Sequence, residues 1–378
     1  MLKLNYDILT INKIADHYLV KNILNGKILE TSEDVIKIMN YMRNYFTIEE
    51  CAIKFNLERK VVSSIVSEIR KIGGMIGDDV SNITSNFTYL SNAFFDSNNE
   101  PELGRVGLLG IPYDGATTGA SGSKLAPNII RNYTSDYTAK YTRIDGEPYI
   151  SYPNIDVFKD EKIFDLGDIC LLPGESSYEV HKRIKGIYKN QILNHRNKII
   201  AIGGDHSITY PILDSFNKDF ILVKFDAHYD DNLILNDVVN HANYISAARN
   251  ITKMRDVIHV GIRELRKPGL EKSGFVLSAD DYIKHGFEKI NRYISTAEST
   301  NFYISIDLDV LDPSIAPGTG FTLPFGLKTN EIFDIILKLK KIGNLIGADI
   351  VEYNPLLDKN NNTLYTALDI LRFLIKNL

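Results

Sequence analysis

The chain has little that would tie it to a membrane, a nucleic acid or an oxidising compartment. It has no run of about 18 apolar residues, so no bilayer-spanning segment can be drawn. The opening stretch, Met1-Leu2-Lys3-Leu4-Asn5-Tyr6-Asp7, lacks the apolar core of a secretory signal. There is no basic tract, and 43 Lys and Arg against 48 Asp and Glu leave a net charge of -5, which offers no attraction to a polyphosphate backbone. The two cysteines, Cys51 and Cys170, lie far apart, which excludes a disulfide framework and a thiolate-rich metal site; both are expected to be buried apolar fillers. Internal repeats and low-complexity tracts are absent. A soluble, cytoplasmic protein that binds neither nucleic acid nor membrane is expected.

What is present is an ordinary globular composition, 44% hydrophobic and 24% charged, over 378 residues. That length exceeds a single compact domain and predicts one large domain with a small one. The small one is expected over residues 1–78. There the sequence Tyr18 to Thr31 reads as a hairpin turning at Asn25-Gly26. Ser32 then opens a helix with Val35, Ile36, Ile38, Met39 and Met42 on its apolar side. Thr47-Ile48-Glu49-Glu50 forms a capping-box pattern. A third helix runs from about Arg59 to Ile72, where Gly73-Gly74 stops it. This winged-helix-like pattern, closed by Ile72-Gly73-Gly74-Met75-Ile76, resembles the PqqD-like peptide-recognition domains that bind leader segments of precursor peptides. An appendage for packing or oligomerisation is the other reading of the same residues.

Residues 79–103, rich in Ser and Asn, read as a linker. From residue 104 to 378 the pattern changes to continuous apolar runs separated by helical crossovers. The runs lie at Arg105–Ile111, Lys198–Ile202, Phe220–Phe225, Val257–Val260, Phe302–Ile306 and Leu345–Ile350. Continuous apolar strands separated by helical crossovers predict an α/β domain with a parallel sheet covered on both faces. In such sheets ligands bind beyond the carboxyl ends of the strands, so those ends carry the functional information.

Three strand ends are rich in metal-binding side chains. One reads Gly203-Gly204-Asp205-His206-Ser207, where the glycines permit a tight turn that presents His206. The next reads Asp226-Ala227-His228-Tyr229-Asp230, and alternation would turn Asp226, His228 and Asp230 to one side. The third is Ser305-Ile306-Asp307-Leu308-Asp309-Val310-Leu311-Asp312-Pro313, in which Asp307 and Asp309 also alternate. Four carboxylates with two neutral imidazoles carry four negative charges, which two divalent cations balance. An oxygen and nitrogen donor set without thiolates suits manganese or a similar ion better than structural zinc. Asp312 is expected to hold its loop rather than a metal.

In this order, these three stretches match the signatures of the ureohydrolases, the arginases, agmatinases and their relatives. Gly110-Ile111-Pro112-Tyr113-Asp114, Ala126 to Arg131, Phe164 to Asp168 and Val260-Gly261-Ile262-Arg263 extend the match from about residue 104 to 378. The resemblance implies a three-layer α/β/α fold with a mostly parallel sheet and two Mn²⁺ ions, with Asp226 and Asp307 bridging them, His206 and Asp230 completing one shell, and His228 and Asp309 completing the other. It further implies hydrolysis of a guanidinium to urea and an amine, with a metal-activated water as nucleophile. His241 stands where the family carries a proton shuttle, although Ala242 replaces the usual glycine after it. Glu352, in Glu352-Tyr353-Asn354-Pro355, matches the guanidinium-binding glutamate. Asn232 takes the place of a substrate contact.

The departures concern the substrate. The loop Asp231–Asn240 lacks the Ser and Thr residues with which arginases hold the α-carboxylate and α-amine of free arginine. Phe321-Thr322-Leu323-Pro324-Phe325-Gly326 replaces the usual Thr-Pro to Gly-Gly passage and suggests an apolar or larger substrate, or packing against a neighbouring subunit. The leading expectation is a manganese enzyme that converts arginine side chains of a precursor peptide, held by the N-terminal module, to ornithine. The alternatives are an agmatinase or other small-molecule guanidino hydrolase, and a catalytically silent binding protein of the same fold. A homo-oligomer is expected.

Overall fold

The computed structural model describes residues 2–4, 9–22, 26–44, 46–72, 74–77, 87–88, 93–97, 105–134, 163–172, 174–189, 197–265, 274–294 and 301–378. The chain divides into two compact units, Met1–Leu90 with Ile169–Glu175, and Ser91–Asp168 with Ser176–Leu378. Of the expected linker, only residues 87–88 and 93–97 fall within the described residues, and Gly104 lies outside them.

The first unit carries an antiparallel three-stranded sheet, Leu9–Ile14, His17–Asn22 and Ile28–Thr31. A second pair joins Leu2–Leu4 to Met75–Gly77. The strand Leu9–Ile14 has no expected counterpart in the sequence reading. Helices cover Glu33–Tyr41, Ile48–Phe55 and Arg59–Lys71, and bury Met39, Cys51, Val62, Val66 and Ile69 in one core. At Thr47 the capping box is complete, since its hydroxyl accepts the Glu50 N–H and the Glu50 carboxylate accepts the Thr47 N–H. Ser32 stands at the first helix's start without a side-chain cap. Of the expected turn, Gly26 has the left-handed φ of 70°, while Asn25 and the helix-stopping Gly73 lie outside the described residues.

The second unit is built on a parallel sheet. Among the described residues, eight of its strands stand in the order Phe275–Ser278, Met254–Ile262, Phe220–Phe225, Asn301–Asp307, Asn344–Val351, Lys198–Gly203, Val106–Ile111 and Ile163–Ile169. Each of these neighbours pairs in parallel. Every residue of Phe220–Phe225 and Val106–Ile111 is buried, so both faces of the sheet are covered, which gives the three-layer α/β/α arrangement. Phe275–Ser278 escapes sequence detection because only Leu277 in it is buried, so it lacks the apolar signal of a central strand. Four strands side by side in the middle of the sheet lead directly into the stretches rich in His, Asp and Glu: Phe220–Phe225, Asn301–Asp307, Asn344–Val351 and Lys198–Gly203. Cys51 and Cys170 are both buried. No helix among the described residues is long and apolar enough to cross a membrane.

Candidate metal centre and active site

Backbone geometry sets each side chain in place. Gly204 passes so close to Tyr113 that a Cβ would collide with the Tyr113 carbonyl, and its N–H donates to Ile111 O at 3.1 Å. Asp205, wholly buried, then accepts the Ala116 N–H at 2.9 Å and the Ser207 N–H at 3.0 Å. Burial, with Glu352 adding to it, pushes the Asp205 carboxyl up to about 7. These bonds fix the turn that delivers His206. On the third strand end, Arg263 donates to the carbonyls of Gly261, Asp309, Val310 and Leu323 at 2.8–3.0 Å and clamps the turn that carries Asp309. Asp312 accepts from Ser314 and from Gly326 N–H, holding its loop as expected.

The expected ligands converge, but by a different route from strand alternation. The strand Phe220–Phe225 ends before Asp226, and Asp230 adopts a left-handed φ of 54°. Asp307 closes its strand and caps a 3₁₀ turn, Leu308–Val310, by accepting the Asp309 N–H at 2.8 Å. It is this turn that carries Asp309 back toward the cluster.

His206 Nδ1 lies 3.0 Å from Asp226 Oδ2 and 3.2 Å from both Asp230 Oδ2 and Asp307 Oδ2. His228 Nδ1 lies 2.9 Å from Asp309 Oδ2 and 3.5 Å from Asp226 Oδ1. Two overlapping donor sets result, His206 with Asp226 and Asp307, and Asp226 with His228 and Asp309, both compact enough to hold an ion. The hydrogen-bond network supplies a test of fit. Ser305 gives its hydroxyl proton to Asp349 at 2.7 Å, and Asp349 also accepts from Thr209 and Tyr303. Ser305 Oγ and the Tyr244 hydroxyl lie 2.8 and 2.9 Å from His206 Nε2 and hold that edge of the ring. On the other edge Nδ1, buried and without a hydrogen bond, faces three carboxylates. A cation between them satisfies every one of these atoms.

The electrostatics agree. Burial opposes a charge on His228, yet Asp226 and Asp309 carry its pKa up to about 11. Burial likewise opposes His206 protonation and is overcome by Asp226, Asp230 and Asp307. Burial and the neighbouring Asp309 push Asp307 well above the usual carboxylate range. Asp226 goes the other way: burial would raise it, but the Lys224 ammonium holds it well below normal.

Glu352 and His241 face the same cleft, a cavity of about 210 Å³ that Thr118, His206, His228, Asp230, Asn232, Asp307, Asp309 and Phe321 also line. Glu352, at a left-handed φ of 63°, accepts the His206 N–H at 3.0 Å and lies 3.1 Å from His241 Nδ1. Such backbone conformations away from glycine concentrate at functional sites. All nine sequence-selected residues therefore border one space or underlie it. Sequence reasoning missed Thr118, Tyr244, Asp349 and Lys224. Lys224 was within reach, because it stands only two places before Asp226 in the sequence.

The comparisons agree with this geometry. Residues 104–376 match the Arginase family. An agmatinase of Blochmanniella floridana is 32% identical over 261 residues, covering 66% of this chain and 80% of its own length. One of Chromobacterium violaceum is 31% identical over 276 residues, 70% of this chain and 81% of its own. The crystal structure of a hypothetical agmatinase from Burkholderia thailandensis superposes with a TM-score of 0.64 at 28% identity, covering 79% of this chain and 95% of that one. The chain belongs to the arginase family and is a hydrolase of the guanidino C–N bond.

Proposed function

We propose that this chain is a two-manganese guanidino hydrolase that releases urea. His206, Asp226, Asp230 and Asp307 would hold one ion, and Asp226, His228, Asp307 and Asp309 the other. When bound, the pair supplies a water activated at neutral pH. The chain's own groups do the rest. The Glu352 carboxylate can pair with guanidinium N–H groups and hold the carbon in place, and His241 can carry a proton to the leaving amine. The observation that carries this reading is the convergence of three carboxylates on the buried His206 Nδ1, which has no hydrogen bond, beside the cleft that Glu352 and His241 border.

For the substrate, the agmatinase relatives favour a small linear guanidino compound of agmatine type. A second reading, an arginine side chain of a precursor peptide becoming ornithine, draws support from two features. Loop residues flanking the site sequence expose apolar surface, with Leu233 at 85%, Leu235 at 70% and Phe325 at 85% exposure. Residues 1–103 also lie outside the family match, and a leader-binding module there would raise the local concentration of a tethered peptide. The assay is urea release in Mn²⁺ from arginine, agmatine and an Arg-containing peptide, with the full chain. Agmatine turnover above that of peptide supports the small-molecule reading, and peptide turnover alone supports the second. Absence of urea from every guanidino substrate, or full activity in Asp307→Asn, would overturn the metal-dependent reading itself.

A further inference from the structure

The charge count made from the sequence omits a cation. Lys224 lies on the strand Phe220–Phe225, paired on one side with His259 and on the other with Ser305, and its side chain is wholly buried. Its ammonium has three protons and three acceptors: Asp226 Oδ2 at 2.5 Å, the His228 carbonyl at 2.6 Å and Asp230 Oδ2 at 3.1 Å. The Tyr244 ring, 5.9 Å from Nζ, closes another side. The lysine is therefore fixed in place, and it does not border the cleft.

The contacts are one-sided. Asp226 Oδ2 and Asp230 Oδ2, the oxygens that Lys224 grips, are the ones that face His206. Asp226 Oδ1 and Asp309 Oδ2, which face His228, have no bond to it among those described. A fixed positive charge at hydrogen-bond distance from two ligands repels an ion sharing them and draws away part of their electron density, and burial leaves that repulsion weakly screened.

We propose that Lys224 is a positioning residue that makes the two metal sites unequal: the ion held by His206, Asp226, Asp230 and Asp307 binds more weakly than the one held by His228 and Asp309. It also pins the 226–230 loop from below, so the ligands are arranged before an ion arrives. This inference rests on the two-metal reading above.

The test is a Mn²⁺ titration of the metal-stripped full chain by calorimetry, with free Mn²⁺ followed by electron paramagnetic resonance. Wild type should bind two ions in separate steps, about tenfold or more apart in Kd. Lys224→Met should tighten the weaker step at least about tenfold and bring the steps together, Lys224→Arg should keep them apart, and Asp309→Asn should remove the tighter step. Two equal steps in wild type overturn the proposal even if Lys224→Met does not fold, as does an unchanged or weakened second step in a folded Lys224→Met. Loss of the weaker step in Asp309→Asn overturns the site assignment. No Mn²⁺ binding to wild type would instead refute the metal reading on which the inference stands.

Discussion

The backbone N–H of Thr118 donates to His241 Nε2 at 2.9 Å, and the Thr118 hydroxyl lies 2.7 Å from the same nitrogen. An N–H can be received only by an unprotonated ring nitrogen, so the neutral imidazole carries its proton on Nδ1, which points at Glu352 Oε1. To pick up a second proton the ring has to release the Thr118 N–H. Burial disfavours that charge, and the Glu352 carboxylate outweighs burial, so the His241 pKa stands above its ordinary 6.5. Replacing His241 by Asn should lower kcat by about 10²–10⁴-fold, the usual worth of a proton-transfer group, with Mn²⁺ content unchanged. Loss of metal together with activity would show the residue to be structural.

Glu352→Gln removes the charge that holds the His241 pKa up while keeping most of the side chain's shape. The ring should then titrate at lower pH by NMR, because desolvation is left with a weaker opponent. KM for the guanidino substrate should also rise, since the carboxylate partner is gone. A ring pKa that stays in place would assign the shift to Asp230 or Asp205, which also contribute.

Gly204→Ala tests the close approach beneath the site. The new methyl group would meet the Tyr113 carbonyl rather than a yielding side chain, so the backbone has to move. We expect a loss of about 1–3 kcal/mol in stability, read from urea unfolding, together with weaker Mn²⁺ binding through displacement of His206. Unchanged metal affinity would separate the turn from the site.

Much of this was legible in the sequence, for identifiable reasons. Phe220–Phe225 and Asn344–Val351 are mostly apolar and lead into polar residues, and such strands are set by burial on both faces. The ligand set was legible because its members lie within a few residues of those ends. What alternation could not give was the route: Asp309 arrives on a 3₁₀ turn and Asp230 on a left-handed residue, conformations that depend on tertiary bonds such as those of Arg263. Thr118 and Asp349 were invisible because their parts depend on residues 123 and 44 positions away in sequence. Lys224 was passed over although it stands two places from Asp226, since a lone Lys in an apolar run reads as the edge of a pattern and not as a buried charge.

The Thr47 capping box makes a local prediction for the N-terminal unit. Both reciprocal bonds are present, and the helix they start, Ile48–Phe55, is short enough to depend on its cap. Thr47→Ala should cost about 1 kcal/mol, seen as faster hydrogen exchange over Ile48–Phe55. Protection unchanged in that helix would mean that burial of Cys51 and Ala52 carries it without the cap.

His181 makes stability depend on pH without being placed among the metal ligands. It is buried 3.1 Å from Ser207 Oγ between the rings of Tyr113 and Tyr210, and burial pushes its pKa down to about 4. The unfolded chain, with an ordinary imidazole near 6.5, binds the proton first as pH falls, so between about 6.5 and 4 the unfolded state holds more protons than the folded one. Acidification through that window therefore destabilises the fold, and the loss relative to pH 7 should reach about 2 kcal/mol at pH 5 from this residue alone. His181→Asn, which cannot titrate, should flatten the stability profile over that range in urea unfolding at pH 5, 6 and 7 on metal-stripped protein, so that metal release does not contribute. A profile equally steep in the variant would place the acid sensitivity elsewhere, with the His206 and His228 carboxylate cluster as the alternative source.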